Sequence, residues 1–375
     1  MVATSDLYGV NNLHRIILLE RIEVTNMSTT IIPQSYANVN LSISKSARLP
    51  DKWTGKKLQA KQMAARLYSL SRSGYYARRA ARMAGCSHEV IYEYCHDCGH
   101  VHVLQARLCR DRVCPICNWR LALRQYSQML QTLNYYYENF NTNTDAYFLT
   151  LTVPNCTPEN VDYTMSKLTQ DWDRLMHRTW CKKNIVGWAR KTEITYNNRT
   201  NTLHPHLHVI VMATESPIPM IDYWLQYNPN ANKQCQDLQS IDTGRHSEVD
   251  RQTVIPVDLS EPDESIVGAI LETFKYTTKS SEILEMPLKT LRCYLQGIDG
   301  KRLIAYGGLI KDIRAELKLK EEETDIDEES TGMCIVCSSV QLERAAAAWS
   351  FATETYEQIK PTSMIDREIT RVVAE

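Results

Sequence analysis

The sequence lacks an apolar run long enough to span a membrane. Its formal net charge is only −1, because it has 43 Lys and Arg residues and 44 Asp and Glu residues, so the overall charge favours no class of partner. The short apolar patch at residues 16–19 is not followed by the small-residue cleavage pattern of a signal peptide, and no internal repeat is visible. These absences argue against a membrane-spanning or repeat protein and predict a cytoplasmic location without a membrane partner.

The charges are unevenly distributed along the chain. Between Lys52 and Arg124 there are fourteen Lys and Arg residues but only four Asp and Glu residues, whereas residues 316–329 are acidic. Aromatic residues such as Trp53 and Tyr68 are interleaved with the basic ones. Because basic groups contact phosphates and aromatic rings stack on bases, this segment favours a nucleic-acid partner. A solvated helix face is the alternative interpretation.

Twelve cysteines, six of them in C-x-x-C pairs, indicate a reducing compartment and metal binding rather than disulfides. Cys95 and Cys98 are followed, after fifteen intervening residues, by Cys114 and Cys117. Two such pairs can supply the four thiolates of a closed tetrahedral site. We therefore predict that Cys95, Cys98, Cys114 and Cys117 together hold one structural Zn²⁺ that contributes to folding.

Other candidate ligands have a weaker basis in the sequence. Cys109 and His100 are substitutes if one of the four assignments is misplaced. Cys334 and Cys337 form a lone C-x-x-C pair. Such a pair is compatible with half of a site, a site bridging two copies or no site at all, and the sequence slightly favours the last.

Three histidines within five residues, His204, His206 and His208, stand out because the whole chain has ten. The stretch through Met212 alternates with a period of two, which predicts a β-strand. His206 and His208 then share one face, where two imidazoles can bind a single metal ion. The alternative is a solvent-exposed sheet face on which the histidines have no function.

A second strand is predicted at residues 186–196, and a polar turn at residues 197–201 joins it to the histidine strand. The resulting hairpin brings Glu193 beside the histidines. One carboxylate and two neutral imidazoles leave open positions for water and a phosphate oxygen, so Glu193 is predicted as the third ligand. An edge carboxylate that only serves solubility is the alternative.

A helix is predicted over residues 265–279. Glu272, Tyr276 and Lys279 are spaced at i, i+4 and i+7, which places them on one helix face. A phenol with a carboxylate and a lysine nearby suits phosphoryl transfer, although such triplets are common on solvated faces.

The pattern as a whole predicts an α+β fold in which a central antiparallel sheet carries helices on one face. We expect a disordered tail at 1–50, a basic helical and zinc-binding module at 51–125, and a catalytic domain at 126–315. An acidic linker and a C-terminal helical segment are expected at 316–375.

Three ordered motifs resemble those of the plasmid rolling-circle replication initiators of the HUH endonuclease superfamily. They are a strand motif at residues 148–152, a His-hydrophobic-His motif at residues 204–208, and a tyrosine motif with an upstream glutamate at residues 272–279. The resemblance covers about residues 50–315. The hairpin between Glu193 and the histidines is longer than the family pattern, and the Cys334/Cys337 segment has no counterpart in it.

The resemblance implies a nicking and joining reaction on single-stranded and supercoiled origin DNA, with host helicase and polymerase as partners. Mg²⁺ or Mn²⁺, held by His206, His208 and Glu193, would polarise the scissile phosphate. Tyr276 would form a 5′-phosphotyrosine link, and Glu272 would activate water at termination. Lys279 would neutralise charge that develops on the phosphate.

Rival interpretations keep some of these features. A single-tyrosine transposase has the same fold and stays an alternative. A relaxase usually has its tyrosine ahead of the histidines, so the order of the motifs argues against it. A non-haem iron oxygenase also uses two histidines and a carboxylate but needs no tyrosine. A zinc-stabilised DNA-binding regulator would need no catalytic residues at all.

Overall fold

A computed structural model describes residues 48–140, 143–241, 269–270, 273–274, 279–319, 325–334 and 336–359. The predicted tail therefore lies almost entirely outside the described residues. The fold is mixed α+β and contains two five-stranded antiparallel sheets. The helices are α1 (Asp51–Leu70), α2 (Gly74–Ala84), α3 (Pro115–Asn139), α4 (Val161–Met176), α5 (Thr179–Asn184), α6 (Ile218–Tyr227), α7 (Ser280–Glu285), α8 (Leu288–Ile298) and α9 (Gly308–Glu316).

The strands divide between two sheets, called here sheet A and sheet B. Sheet A has the order β10-β9-β1-β2-β8, and sheet B has the order β6-β3-β5-β4-β7. The strands are β1 (Glu89–Cys95), β2 (Val101–Ala106), β3 (Asp145–Thr152), β4 (Ile185–Asn197), β5 (Thr202–Ala213), β6 (Asp237–Ile241), β7 (Ile304–Gly307), β8 (Ile326–Asp327), β9 (Leu342–Ser350) and β10 (Thr355–Ile359).

The predicted histidine strand and its hairpin partner form the centre of sheet B. Strand β4 pairs with β5 in a register that places Glu193 opposite His206 and Asn197 opposite Thr202. Strand β3 pairs with the other edge of β5, and Thr150 lies opposite His208. The long hairpin thus has a continuous register, and this register brings the predicted third ligand to the histidine face.

Helices cover both faces of sheet B, whereas the sequence predicted helices on one face. Leu207, Val209 and Val211 pack against α4 and α6 in one core cluster. On the other face, Ile210 and Met212 pack in a second cluster with α3, α9, Ala269, Ile270 and Phe274. Strand β5 is therefore buried on both sides for most of its length, which the polar histidines in its pattern concealed.

The C-terminal part of the chain also differs from expectation. In place of a helical segment, residues 342–359 form β9 and β10, and β9 pairs with β1 from Glu89 opposite Ala348 to Cys95 opposite Leu342. The four consecutive alanines at residues 345–348 favour a helix locally. Hydrogen bonding to the preformed edge of β1 overrides that preference, because strand propensity depends mainly on tertiary context.

Several described elements were not predicted from the sequence, among them strands β1, β2, β6 and β7 and helices α6, α7 and α8. The predicted basic helical segment forms two helices, α1 and α2, with a break at Ser71–Ser73. Among the described helices, none has the length and apolarity that a bilayer span requires.

Candidate functional site

Three ligand atoms converge on the α3 side of sheet B. His208 Nε2 lies 3.0 Å from Glu193 Oε2, His206 Nε2 lies 3.6 Å from the same oxygen, and the two Nε2 atoms are 3.1 Å apart. All three side chains are buried, with exposed fractions of 4% for Glu193, 8% for His206 and 6% for His208. The structure therefore brings together the three residues that the sequence predicted as metal ligands.

The other nitrogen of each imidazole is occupied. His206 Nδ1 lies 3.1 Å from the backbone oxygen of His204, a partner that can only accept a proton. His208 Nδ1 lies 3.2 Å from Thr150 Oγ1, and Phe148 stacks on the His208 ring at a centroid distance of 5.4 Å. The Thr150 hydroxyl can accept a hydrogen bond from His208 Nδ1, as the His204 oxygen does from His206 Nδ1. In that tautomer each Nε2 lone pair is available to a metal ion, which is the arrangement that metal-binding histidines require.

The spacing of the three atoms fits one divalent ion. An octahedral ion with ligands at about 2.1 Å places neighbouring ligand atoms about 3.0 Å apart, and two of the three distances match this value. A carboxylate and two imidazoles on one face leave the remaining coordination positions open. The site could thus bind a metal ion and present it to a substrate oxygen.

Strand β3, which lies between β5 and β6, also supports the site. Besides Phe148 and Thr150 at the histidines, the backbone of Thr152 is fixed from two sides. Its oxygen accepts a hydrogen bond from Trp224 Nε1 at 2.9 Å, and its nitrogen donates one to Gln236 Oε1 at 2.7 Å. The motif at residues 148–152 therefore orients a ligand and anchors the sheet beside it.

A buried lysine links the metal face to the segment that precedes the predicted tyrosine. Lys191 lies opposite His208 in the hairpin register, and its Nζ donates a 3.0 Å hydrogen bond to the backbone oxygen of Phe274. Lys191 is 4% exposed and Phe274 is 1% exposed. The sequence analysis missed Lys191, although its period-2 spacing from Glu193 places both residues on the same strand face.

Of the predicted catalytic residues, Glu272 and Tyr276 lie outside the described residues. Lys279 is described, and it differs from the prediction. Its backbone is extended, with ψ of 134°, and it caps the N-terminus of α7. Its oxygen accepts a hydrogen bond from the backbone nitrogen of Ile283. The helix predicted over residues 265–279 therefore does not extend to Lys279, because the chain turns there to start α7.

A cleft of about 620 Å³ adjoins the site at the entrance of β5, lined by Asn155, Tyr196, Asn197, Arg199 and His204. Burial, and secondarily the charge of His206, lower the pKa of His204 to about 4. His204 is therefore neutral at pH 7 and faces the cleft as an uncharged imidazole. It does not belong to the group formed by Glu193, His206 and His208.

The predicted four-cysteine zinc site is corrected by the structure. Cys114 and Cys117 group with Cys86 and Cys109, while Cys95 and Cys98 group with Cys334 and Cys337. The two predicted pairs separate because Cys95 and Cys98 lie at the tip of the β1–β2 hairpin, whereas Cys114 and Cys117 start α3 at the other end of β2. Because strand β2 runs the length of the sheet between the two C-x-x-C pairs, the pairs lie at opposite ends of the sheet.

The two cysteine clusters were only partly visible in the sequence. Cys109 was considered as a spare ligand and Cys86 was missed, since neither belongs to a C-x-x-C pair. Cys334 and Cys337, for which no site was favoured, complete a cluster of four. Either group could hold a metal ion.

Several basic residues of the predicted DNA-binding segment serve the fold instead. Lys57 is 1% exposed, and its Nζ donates to the backbone oxygens of Ala84 and Cys86. Burial lowers the pKa of Lys57, while the charges of the nearby cysteine cluster oppose that effect. Arg79 forms a bidentate ion pair with Asp111. Basic side chains that remain exposed in this segment are Lys52, Arg72, Arg78, Arg82, Arg107, Arg110 and Arg112.

Comparisons with known proteins identify the family. Residues 100–357 match the replication protein family. The chain is 31% identical over 305 residues to Protein rep of Streptococcus pneumoniae serotype 2, over 78% of this chain and 91% of that protein. It is 29% identical over 316 residues to Protein rep of Lentilactobacillus hilgardii, over 81% of this chain and 94% of that protein. No solved structure is significantly similar to the chain.

A shorter match has a higher identity. A replication protein of Staphylococcus aureus is 34% identical over 201 residues, which is 49% of this chain and 80% of that protein. The family match spans all of sheet B and continues through β9 into β10, so the candidate metal centre lies within it. The chain belongs to the replication protein family.

Proposed function

We propose that the protein initiates rolling-circle replication of a plasmid as a metal-dependent nicking and joining endonuclease of the HUH type. The observation that carries the proposal is the convergence of His206, His208 and Glu193 on one face of sheet B, with both histidine Nδ1 atoms already occupied. The family match supports a role in replication. Relatives named Protein rep and replication protein favour this role over the transposase and oxygenase alternatives.

The nucleophile proposed from the sequence is Tyr276. Chain connectivity supports this choice: consecutive Cα atoms lie about 3.8 Å apart, so two residues span at most about 8 Å. Phe274, two residues earlier, is held by Lys191 on the face that carries the metal ligands. A tyrosine at position 276 is therefore tied to a point beside the metal centre by a short stretch of backbone.

The proposed reaction follows from these positions. The Tyr276 phenolate attacks the scissile phosphorus in line, the bond to the 3′ oxygen breaks, and that oxygen takes a proton to become a free 3′-OH. The 5′-phosphate remains on the tyrosine. A bound Mg²⁺ or Mn²⁺ supplies Lewis-acid polarisation of the phosphate. Glu272 is proposed to activate water for strand release, and Lys279 to neutralise charge on the phosphate.

DNA contacts are proposed at two places. The cleft beside His204 offers amide, hydroxyl and neutral imidazole groups next to the metal ligands, which suits a nucleotide that flanks the scissile phosphate. The exposed basic residues of α1, α2 and the following loops suit sequence-independent phosphate contacts. Host helicase and polymerase remain proposed partners on the basis of the replication role alone.

The experiment that tests the function uses labelled single-stranded origin oligonucleotides with Mn²⁺ and a denaturing gel. We expect the wild-type protein to form a covalent adduct and Tyr276→Phe to form none, while both still bind the oligonucleotide. Tyr163→Phe is the matched control, because Tyr163 is exposed on α4, and it should form the adduct normally. An adduct with Tyr276→Phe would disprove the assignment of the nucleophile.

A further inference from the structure

Eight of the twelve cysteines lie in two groups of four, and their spacing identifies the chemistry. The Sγ atoms of Cys95 and Cys337 are 3.5 Å apart, and those of Cys98 and Cys334 are 3.6 Å apart. Tetrahedral zinc with Zn–S bonds of about 2.3 Å separates its sulfurs by about 3.8 Å, whereas a disulfide brings two sulfurs to about 2.05 Å. The observed distances match a shared zinc ion and exceed a disulfide bond.

The other group has the same spacing. Cys117 Sγ lies 3.6 Å from Cys86 Sγ and 3.6 Å from Cys109 Sγ, and Cys114 Sγ lies 3.7 Å from Cys86 Sγ. Within each group, all four sulfurs lie within 4.8 Å of one another. Each group therefore offers a complete four-thiolate shell without help from the other.

Cys95 and Cys98, the first two ligands of the group that also contains Cys334 and Cys337, lie in a tight backbone turn. The nitrogen of Cys95 donates to the oxygen of His100 at 2.9 Å, and the nitrogen of Gly99 donates to the oxygen of Cys95 at 2.8 Å. Gly99 has φ of +73°, a conformation that glycine adopts readily. The turn presents Cys95 and Cys98 on the same side.

The second half repeats this turn in the C-terminal segment. The nitrogen of Cys334 donates to the oxygen of Ser339 at 2.7 Å, and the nitrogen of Ser338 donates to the oxygen of Cys334 at 2.8 Å. Ser338 occupies the position of Gly99 and has φ of +59°, which costs a non-glycine residue conformational energy. Two turns with the same hydrogen bonds, about 236 positions apart along the chain, face each other across four sulfurs.

This second group lies where the C-terminal strands join the rest of the protein. The β1–β9 ladder ends at Cys95 opposite Leu342, immediately beside the cluster. The His96 nitrogen donates to the Gln341 oxygen at 3.0 Å. A zinc ion at this point would fasten residues 334–359 to the β1–β2 hairpin.

The two groups differ in exposure. In the first group Cys86, Cys114 and Cys117 are each at most 3% exposed and Cys109 is partly buried, whereas in the second group Cys98 and Cys337 are exposed at the surface. A chelator can reach exposed thiolates without prior unfolding, but it can reach Cys86, Cys114 and Cys117 only after the surrounding core opens.

We propose that the protein binds two structural Zn²⁺ ions. The ion at Cys86, Cys109, Cys114 and Cys117 is held mainly by buried thiolates and exchanges slowly. The ion at Cys95, Cys98, Cys334 and Cys337 is an exchangeable clasp that holds the C-terminal strands on sheet A. This inference goes beyond the proposed nicking function and does not depend on it.

The test measures zinc content, chelation kinetics and proteolysis in the full-length protein. We expect two zinc ions per chain in the wild type by elemental analysis and native mass spectrometry, and one in Cys334→Ser/Cys337→Ser. Cys235→Ser/Cys293→Ser is the matched control, because both cysteines lie outside the groups, and it should keep two. With excess chelator, the wild type should release zinc in two phases of equal amplitude, and the clasp variant should lack the fast phase.

Limited proteolysis of the wild type after the fast phase should show new cuts within the last quarter of the chain that are absent before chelation. Because this measurement needs no variant, it stays decisive if a cysteine substitution prevents folding. One zinc ion per chain, disulfide-linked cysteines by mass spectrometry, or a single release phase would each overturn the proposal.

Discussion

Replacing Lys191 by methionine tests whether the metal face and the tyrosine-bearing segment act together. Methionine keeps the length of the apolar stem and removes the ammonium that donates 3.0 Å to the Phe274 oxygen. A hydrogen bond to a charged group contributes about 1.5–3 kcal/mol, and each 1.4 kcal/mol corresponds to about a tenfold change in an equilibrium. The equilibrium constant for holding the tyrosine-bearing segment against the metal face should therefore fall by about 10- to 150-fold.

The assay is single-turnover cleavage of the origin oligonucleotide at saturating DNA and Mn²⁺. We expect the rate to fall by about 10- to 150-fold, in line with the lost hydrogen bond. The affinity for Mn²⁺ should not weaken, because removing a positive charge next to the ligands does not oppose cation binding. These two readouts separate a positioning role from a role in metal binding.

The matched control is Lys289→Met. Lys289 is an exposed lysine that pairs with Glu159 at 2.6 Å, and its replacement should leave the cleavage rate unchanged. Circular dichroism and thermal unfolding must show that Lys191→Met is folded. A folded Lys191→Met protein that cleaves at the wild-type rate would refute the coupling between Lys191 and the tyrosine segment.

Three further outcomes are expected. His208→Ala should weaken Mn²⁺ binding, measured by calorimetry, by more than about 100-fold, since altering even a group that only orients a metal ligand costs about 10–100-fold in affinity. His204→Ala should bind Mn²⁺ normally. An equal loss of affinity in both variants would contradict the ligand assignment. Gly308→Ala should destabilise the protein by more than the about 1–2 kcal/mol that left-handed backbone strain costs, because its Cβ would lie 2.2 Å from the Val186 oxygen. In Gly300→Ala the new Cβ meets nothing within 4 Å, so this control should show the strain alone. Equal free energies of unfolding in urea for the two variants would count against the clash. Asp111→Asn should lower the free energy of unfolding by about 3–5 kcal/mol, since it leaves the buried Arg79 without its counter-charge. A decrease below about 1 kcal/mol in the same urea measurement would show that the ion pair is dispensable.

The sequence alone was sufficient to place the three candidate metal ligands on one face of a sheet. Period-2 alternation places His206 and His208 on one side of any strand that contains them, and the polar turn after Tyr196 fixes the hairpin closely enough to bring Glu193 opposite His206. These are local relations, set by the geometry of an extended chain. The histidine tautomers were not predictable, since they depend on Thr150 and on the backbone of His204.

The partition of the cysteines was decided by tertiary structure. From spacing alone, Cys95 and Cys98 belong with Cys114 and Cys117, which are the nearest C-x-x-C pair. The β1–β2 hairpin carries the two pairs apart, and the pairing of β9 with β1 brings in a C-terminal pair from more than two hundred residues away.

The same long-range pairing converts an alanine-rich segment from an expected helix into a strand. Spacing, periodicity and turn chemistry are properties of neighbouring residues, so the sequence determines them directly. Which distant segments share a sheet edge or a metal ion depends on the free energy of the whole fold, and local patterns contain little of that information.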